Sequence, residues 1–233
     1  MGFYQMHLTN QLPIQPTTRS QMLAMPIIGF IVMLFLSGCS TTSQLHTTNQ
    51  ALATHLEHQM LKLSGIAFIT PSSVTGQEED KQALALAFTE VLKRARPDLH
   101  IVPLPETLGA INRMGLASEY KQMFEDYPLT GIFNRDTLQK VSHVTGTRYL
   151  AQLKLGGFRQ ESKPRWGALG VRIMETKTAS LRLYLQIWDG ENGLIAWEGG
   201  QELTSAHESL QEDAISFKDA VEQVANELIK RLP

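Results

Sequence analysis

A single cysteine, Cys39, occurs in 233 residues. One thiol excludes an intramolecular disulfide framework and every zinc site built on two or more thiolates. Charge of one sign is lacking too: 21 Lys+Arg stand against 23 Asp+Glu, a formal net charge of -2. No basic excess is available to neutralise a phosphate backbone, so nucleic acid is not the expected partner. The chain has no Gly-x-Ser-x-Gly elbow, no His-Glu-x-x-His and no Gly-x-x-x-x-Gly-Lys-Ser/Thr loop, which removes the usual hydrolase, zinc-protease and nucleotide signatures. Nothing in it calls for a cofactor or a metal. What is present, 42% hydrophobic and 19% charged residues, is the composition of a globular chain. The length suits one domain with an appendage, since a single core is normal up to roughly 250 residues.

The longest apolar run is Met22 to Leu36, fifteen residues without a charge. As a helix it spans roughly 22 Å at ~1.5 Å per residue, short of the ~30 Å hydrocarbon core of a bilayer. Pro26 and Gly29 weaken it further as a permanent helix. The run follows Arg19 and ends at Leu36-Ser37-Gly38-Cys39, the pattern of a secretory signal peptide closed by small residues. With the sole cysteine at the junction, this resembles the lipobox of bacterial lipoproteins. The resemblance implies a thioether-linked diacylglyceryl group on Cys39, cleavage before it, and acylation of the new amino terminus. Two or three acyl chains anchor stably, because each buried methylene contributes about 0.8 kcal/mol and one chain alone is marginal. Ser40 follows, where an Asp would resemble the inner-membrane retention signal. The implied destination is the periplasmic face of the outer membrane.

Residues 1–38 are thus expected to be a signal peptide, 39–64 a lipidated tether with a short lead-in helix, and 65–233 a periplasmic domain. Ser40 to Gln50, STTSQLHTTNQ, has too little apolar surface to fold and reads as flexible. Leu52, Leu56, Met60 and Leu63 have helical spacing. Ile66 to Ile69 reads as a buried strand, Leu84 to Ala95 as a helix ended by Pro97, and His100 to Leu104 as a second strand, giving a βαβ crossover. A helical stretch broken near Gly115 follows, then a turn at Pro128 and Gly131. Asn134 or Asp136 caps another helix that Gly146 ends. The rest is β-rich: a strand from Arg148 to Phe158, a hairpin tip at Gln160 to Gly170, a long strand from Val171 to Trp188, and a return from Leu194 to Leu203. Ser216 to Asp219 is a capping-box-like start to a last helix.

The expected fold class is α/β (α+β), a small mixed sheet with helices packed on its faces in the order β-α-β-α-α-β-β-β-α. Gly146-Thr147-Arg148-Tyr149-Leu150, followed by Asp189, Gly193 and Trp197 around the turn of IWDGENGLIAWEG, carries a second resemblance. It is similar to the group formed by the curli-secretion lipoprotein CsgG, the amino-terminal domain of TolB and the activator LpoB. That group shares no active site, so no catalytic residue is implied.

Three constellations remain. His55 and His58 lie one turn apart but lack further ligands nearby, and a solvated face accounts for them. Asp189 and Glu191 could be paired carboxylates, yet a two-strand turn needs such residues for backbone reasons; His207-Glu208 reads as polar loop. Arg159, Lys163, Arg165 and Arg172 surround Pro164 and Trp166, a candidate surface for an anionic partner or headgroup, or simply charges that keep a hairpin soluble. The expectation is a non-catalytic binding or assembly module of the outer membrane, anchored through acylated Cys39 and facing a protein partner in the envelope. Alternatives are an oligomerising component resembling the curli-secretion lipoprotein, a homo-oligomer, and an envelope hydrolase. A channel formed by this chain alone is disfavoured, because the Gln160 to Gly170 connection is short and charged against the ~9–11 residues of a membrane-crossing strand.

Overall fold

Alternate residues of one short strand and the residue after it enter two different cores: Ile66 and Phe68 belong to one, Ala67 and Ile69 to the other. That period of two is the mark of a strand buried on both faces. The computed structural model describes residues 44–53, 56–73, 78–166, 172–209 and 216–233. The strands are β1 (Gln44–Ala53), β2 (Ile66–Phe68), β3 (Ser72–Ser73), β4 (Ile101–Val102), β5 (Tyr149–Trp166), β6 (Arg172–Asp189) and β7 (Ile195–Ser209). The helices are α1 (His58–Ser64), α2 (Glu78–Ala95), α3 (Leu104–Arg113), α4 (Ala117–Thr130), α5 (Arg135–Thr145) and α6 (Phe217–Ile229). The sheet runs β1-β7-β6-β5-β2-β4, with β3 paired to β5 off this path. β2 is parallel to β4 and β5, so β2-α2-β4 is the expected crossover; β5, β6, β7 and β1 pair antiparallel. The mixed α+β sheet with helices on it is the class expected.

One face of the sheet is covered by α2 and α6, where Leu84, Phe88, Val221 and Leu228 meet Leu153, Leu183 and Trp197. On the other face α3, α4 and α5, with the connection between the last two, bring Ile111, Met123, Leu138 and Phe133 onto Leu150 and Trp188. Caps fix where helices begin and end. The Asn134 side chain accepts from Thr137 N at 3.0 Å, and Ser216 Oγ accepts from Asp219 N at 3.1 Å. Gly146 closes α5 at φ +67°, a left-handed conformation that costs a glycine little. Pro128 does not make the expected turn: α4 continues through it to Thr130, and Gly131 ends the helix.

Four further expectations are corrected. The stretch read as a flexible tether is a strand from Gln44, paired along its whole length with β7 from Ala206 back to Trp197. Thr, Asn and Gln bury little, but the open edge of β7 offers a row of backbone partners, and an edge strand is held by those. The helix expected from Ala51 accordingly starts at His58, with Leu52 in β1. The hairpin tip is also shorter than expected, because β5 extends to Trp166 and β6 begins at Arg172. His207 and Glu208, read as loop, lie in β7 opposite Lys177 and Thr176. At ~3.4 Å per residue β5 and β6 form a ribbon of about 60 Å. The farthest buried position described along it is Ala179.

Candidate functional site

The turn between β6 and β7 is organised by one carboxylate. Asp189, 5% exposed, accepts from Arg148 Nε at 3.1 Å and Nη2 at 2.7 Å, from Glu191 N at 3.0 Å and from Asn192 Nδ2 at 2.9 Å. Arg148 Nη1 also reaches the Glu191 carboxylate at 3.1 Å. Burial alone would raise the Asp189 pKa; the Arg148 fork and the Glu191 N–H outweigh it and hold the carboxyl below its ordinary range. The hydrogen bond to Asp189 raises the Arg148 pKa in turn. Gly190 N donates to Arg148 O at 2.8 Å, and a Cβ at Gly190 would stand 2.5 Å from that of Ser142. The pair Asp189 and Glu191 is therefore brought together, as a clamp joining the turn to the start of β5.

A second polar cluster was not singled out in the sequence. Lys154 Nζ donates to Tyr127 OH and stands 4.8 Å from the centroid of that ring. Tyr127 OH donates to Gln186 Oε1 at 3.2 Å. Gln152 lies opposite Gln186 on β5, fully buried, with neither amide atom hydrogen-bonded among the described residues. The cluster fastens α4 to β5 and β6, beside a stack in which Tyr127 and Phe133 rings lie 4.3 Å apart and Phe133 meets Trp188 at 5.0 Å. Its signal in the sequence is the polar phase of β5, Gln152 and Lys154, set between Leu153 and Leu155. Nearby, Tyr120 OH accepts from Thr70 N at 2.8 Å; burial pushes its pKa up to about 12, with Thr70 offsetting only part. A groove of about 530 Å³ between α2 and α3, lined by Leu86, Leu104 and Leu108 with Lys93 and Glu106, also had no signal in the sequence.

The lipobox residues Leu36, Ser37 and Gly38, and Cys39 itself, lie outside the described residues. Of the proposed basic surface, Arg159 is exposed on β5 opposite Ser180. Lys163, Arg165 and Trp166 pair along the backbone with Thr176, Met174 and Arg172, and their side chains lie outside the described part. All five candidates thus belong to one ribbon, paired strands rather than a loop. His58 Nδ1 stands 3.3 Å from Arg96 Nη2 on the solvated face of α1.

No family model matches the chain, and no curated protein matches its sequence. Among solved structures, it is similar to a point variant of the PelC dodecamer from Paraburkholderia phytofirmans, with 11% identity and a TM-score of 0.41 over 83% of this chain and 98% of that one. It is also similar to lipoprotein GNA1162 from Neisseria meningitidis, with 13% identity and a TM-score of 0.39 over 72% and 99%. These likenesses are distant, and no functional reading rests on them.

Proposed function

We propose that the chain is a lipid-anchored, non-catalytic binding or assembly module on the periplasmic face of the bacterial outer membrane. One observation carries this: the only cysteine follows Leu36-Ser37-Gly38 at the end of a charge-free run too short to span a bilayer. In this reading lipid fixes Cys39 in the leaflet and the mixed sheet presents its surface to an envelope partner. Because β1 starts at Gln44, the linker is short, and the domain works close to the membrane. The clamp geometry supports a non-catalytic role for Asp189, since the carboxylate is engaged by Arg148 and its own turn.

The length of the ribbon removes one argument against a membrane-entering hairpin, while its composition retains the other. Between Arg159 and Trp166 the strand carries Arg159, Glu161, Lys163 and Arg165 and lacks the alternating apolar set a lipid-facing strand needs. Cells grown with labelled palmitate test the anchor. Label should enter the wild-type chain, and Cys39→Ser should lose both label and stable outer-membrane fractionation. An unlabelled wild type, or a Cys39→Ser chain that stays equally anchored, removes the reading.

A further inference from the structure

The groove between α2 and α3 is apolar along its walls and charged only at Lys93, Glu90 and Glu106. Its α2 wall includes Ala85, Leu86 and Thr89, a row set beside the core stripe of Leu84, Phe88, Val91 and Leu92. Ala85 and Thr89 are 3% and 4% exposed, while Leu86 is 61% exposed. The other wall is the start of α3, where Leu104 is buried and Leu108 half-buried. Little on these walls can hydrogen-bond a guest. Thr89 Oγ1 donates to Ala85 O at 2.6 Å. Pro103 and Pro105 carry no N–H, and Glu106 N and Thr107 N donate to Pro103 O at 3.0 and 3.1 Å. The three charged side chains are exposed. Glu90 stands 3.8 Å from Lys218, whereas Lys93 on α2 and Glu106 on α3 have no ion pair among the described residues.

We propose that this groove binds a single-chain phospholipid with a zwitterionic head, a lysophosphatidylethanolamine. The site does not depend on how Cys39 is modified. A peptide strand or a sugar brings polar groups that would lie unpaired against Leu86, Leu104, Leu108 and the two prolines, and each such group costs affinity. An alkyl chain brings none. The volume, about 530 Å³, falls in the ~300–1,000 Å³ range of small-ligand sites. From Gln82 to Lys93 the α2 wall runs roughly 17 Å at ~1.5 Å per residue. An acyl chain spans half of the ~30 Å hydrocarbon core of a bilayer, about the same length. The head follows from the rim, where a cation on one helix and a carboxylate on the other suit the phosphate and the ammonium of one molecule. Exposed ion pairs add little, so the chain supplies most of the affinity and the head sets the preference.

The test captures the occupant in place. Leu86 is changed to the photoreactive p-benzoylphenylalanine, and Leu129, 87% exposed on α4, is changed likewise for comparison. Cells producing each full-length chain are broken without detergent, given lysophosphatidylethanolamine with a deuterated acyl chain, and irradiated. Mass spectrometry of the purified chain should show one deuterated chain with its phosphoethanolamine head at position 86 and none at position 129. Lys93→Glu and Glu106→Lys should each lower the yield at position 86 by up to about fivefold. The emission of the buried Trp188 and Trp197 should be unchanged in both, the sign of an intact fold. Adducts at both positions alike, or adducts with two-chain lipid, report contact with a bilayer and overturn the site. A peptide adduct at position 86 gives the groove to a protein partner and overturns it as well, as does the absence of any adduct. Equal capture of a deuterated monoacylglycerol, or a yield that neither charge reversal lowers, overturns the zwitterionic head.

Discussion

Replacing Asp189 with Ala removes the acceptor for four hydrogen bonds at once: two from Arg148, one from Glu191 N and one from Asn192 Nδ2. Breaking a buried ion pair from one side costs about 3–5 kcal/mol, chiefly because the other charge is stranded. Arg148 keeps 27% of its side chain in solvent, which softens the stranding and puts the expected loss near the lower end, about 3 kcal/mol. Asp189→Asn retains size and one acceptor and should lose less. The assay is urea denaturation followed by the emission of the buried Trp188 and Trp197, with Arg148→Ala and the double variant completing a cycle. The pH dependence supplies a second reading. The Asp189 pKa is depressed in the folded state, so its contribution is complete above the unfolded value of about 3.9 and is lost as pH falls through the folded value. The gap between wild type and Asp189→Ala should therefore be full at neutral pH and close in acid. A loss below about 1 kcal/mol, or a gap that persists when the carboxyl is protonated, would refute the clamp.

Other outcomes follow from the packing. Phe133→Ala empties a site 1% exposed between Tyr127, Phe124 and Trp188 and should cost about 3–5 kcal/mol by the same denaturation assay. Gly199→Ala places a Cβ 2.3 Å from the buried Trp197 ring, so the ring must shift; about 1–3 kcal/mol and an altered tryptophan emission are expected. Ser216→Ala loses the N-cap of α6 and should cost about 0.5–2 kcal/mol, seen as a lower melting temperature. Tyr120 has its folded pKa raised from 10.0 to about 12, so stability is full below pH 10 and falls by about 3 kcal/mol as pH rises to 12; Tyr120→Phe should flatten that decline in alkaline unfolding curves.

The parts of the fold legible in the sequence are those where periodicity coincides with burial. Leu84, Phe88, Val91 and Leu92 mark α2 by spacing alone, and all four are buried. Asn134, Gly146 and Ser216 announce helix ends through side-chain or backbone chemistry that acts locally. β1 was hidden because what holds it is a row of backbone partners on β7, about 150 residues away, and its own side chains carry no apolar pattern. The ribbon was hidden in the same way: Pro164 and the charges around it suggest a loop, whereas β5 and β6 satisfy one another's backbone row by row to Trp166. Asp189 was legible as a turn residue, but its partner Arg148 was not, since their 41-residue separation is closed only by the β5–β6 pairing. Lys154 and Tyr127 meet for a similar reason, through the packing of α4 on the sheet.

The intact mass of the chain extracted from the outer membrane tests the central claim most directly. The account predicts a polypeptide that begins at Cys39 and carries the added mass of a diacylglyceryl group, with a further acyl chain on its amine. A chain that retains residues 1–38, or that begins elsewhere with an unmodified Cys39 thiol, would contradict it.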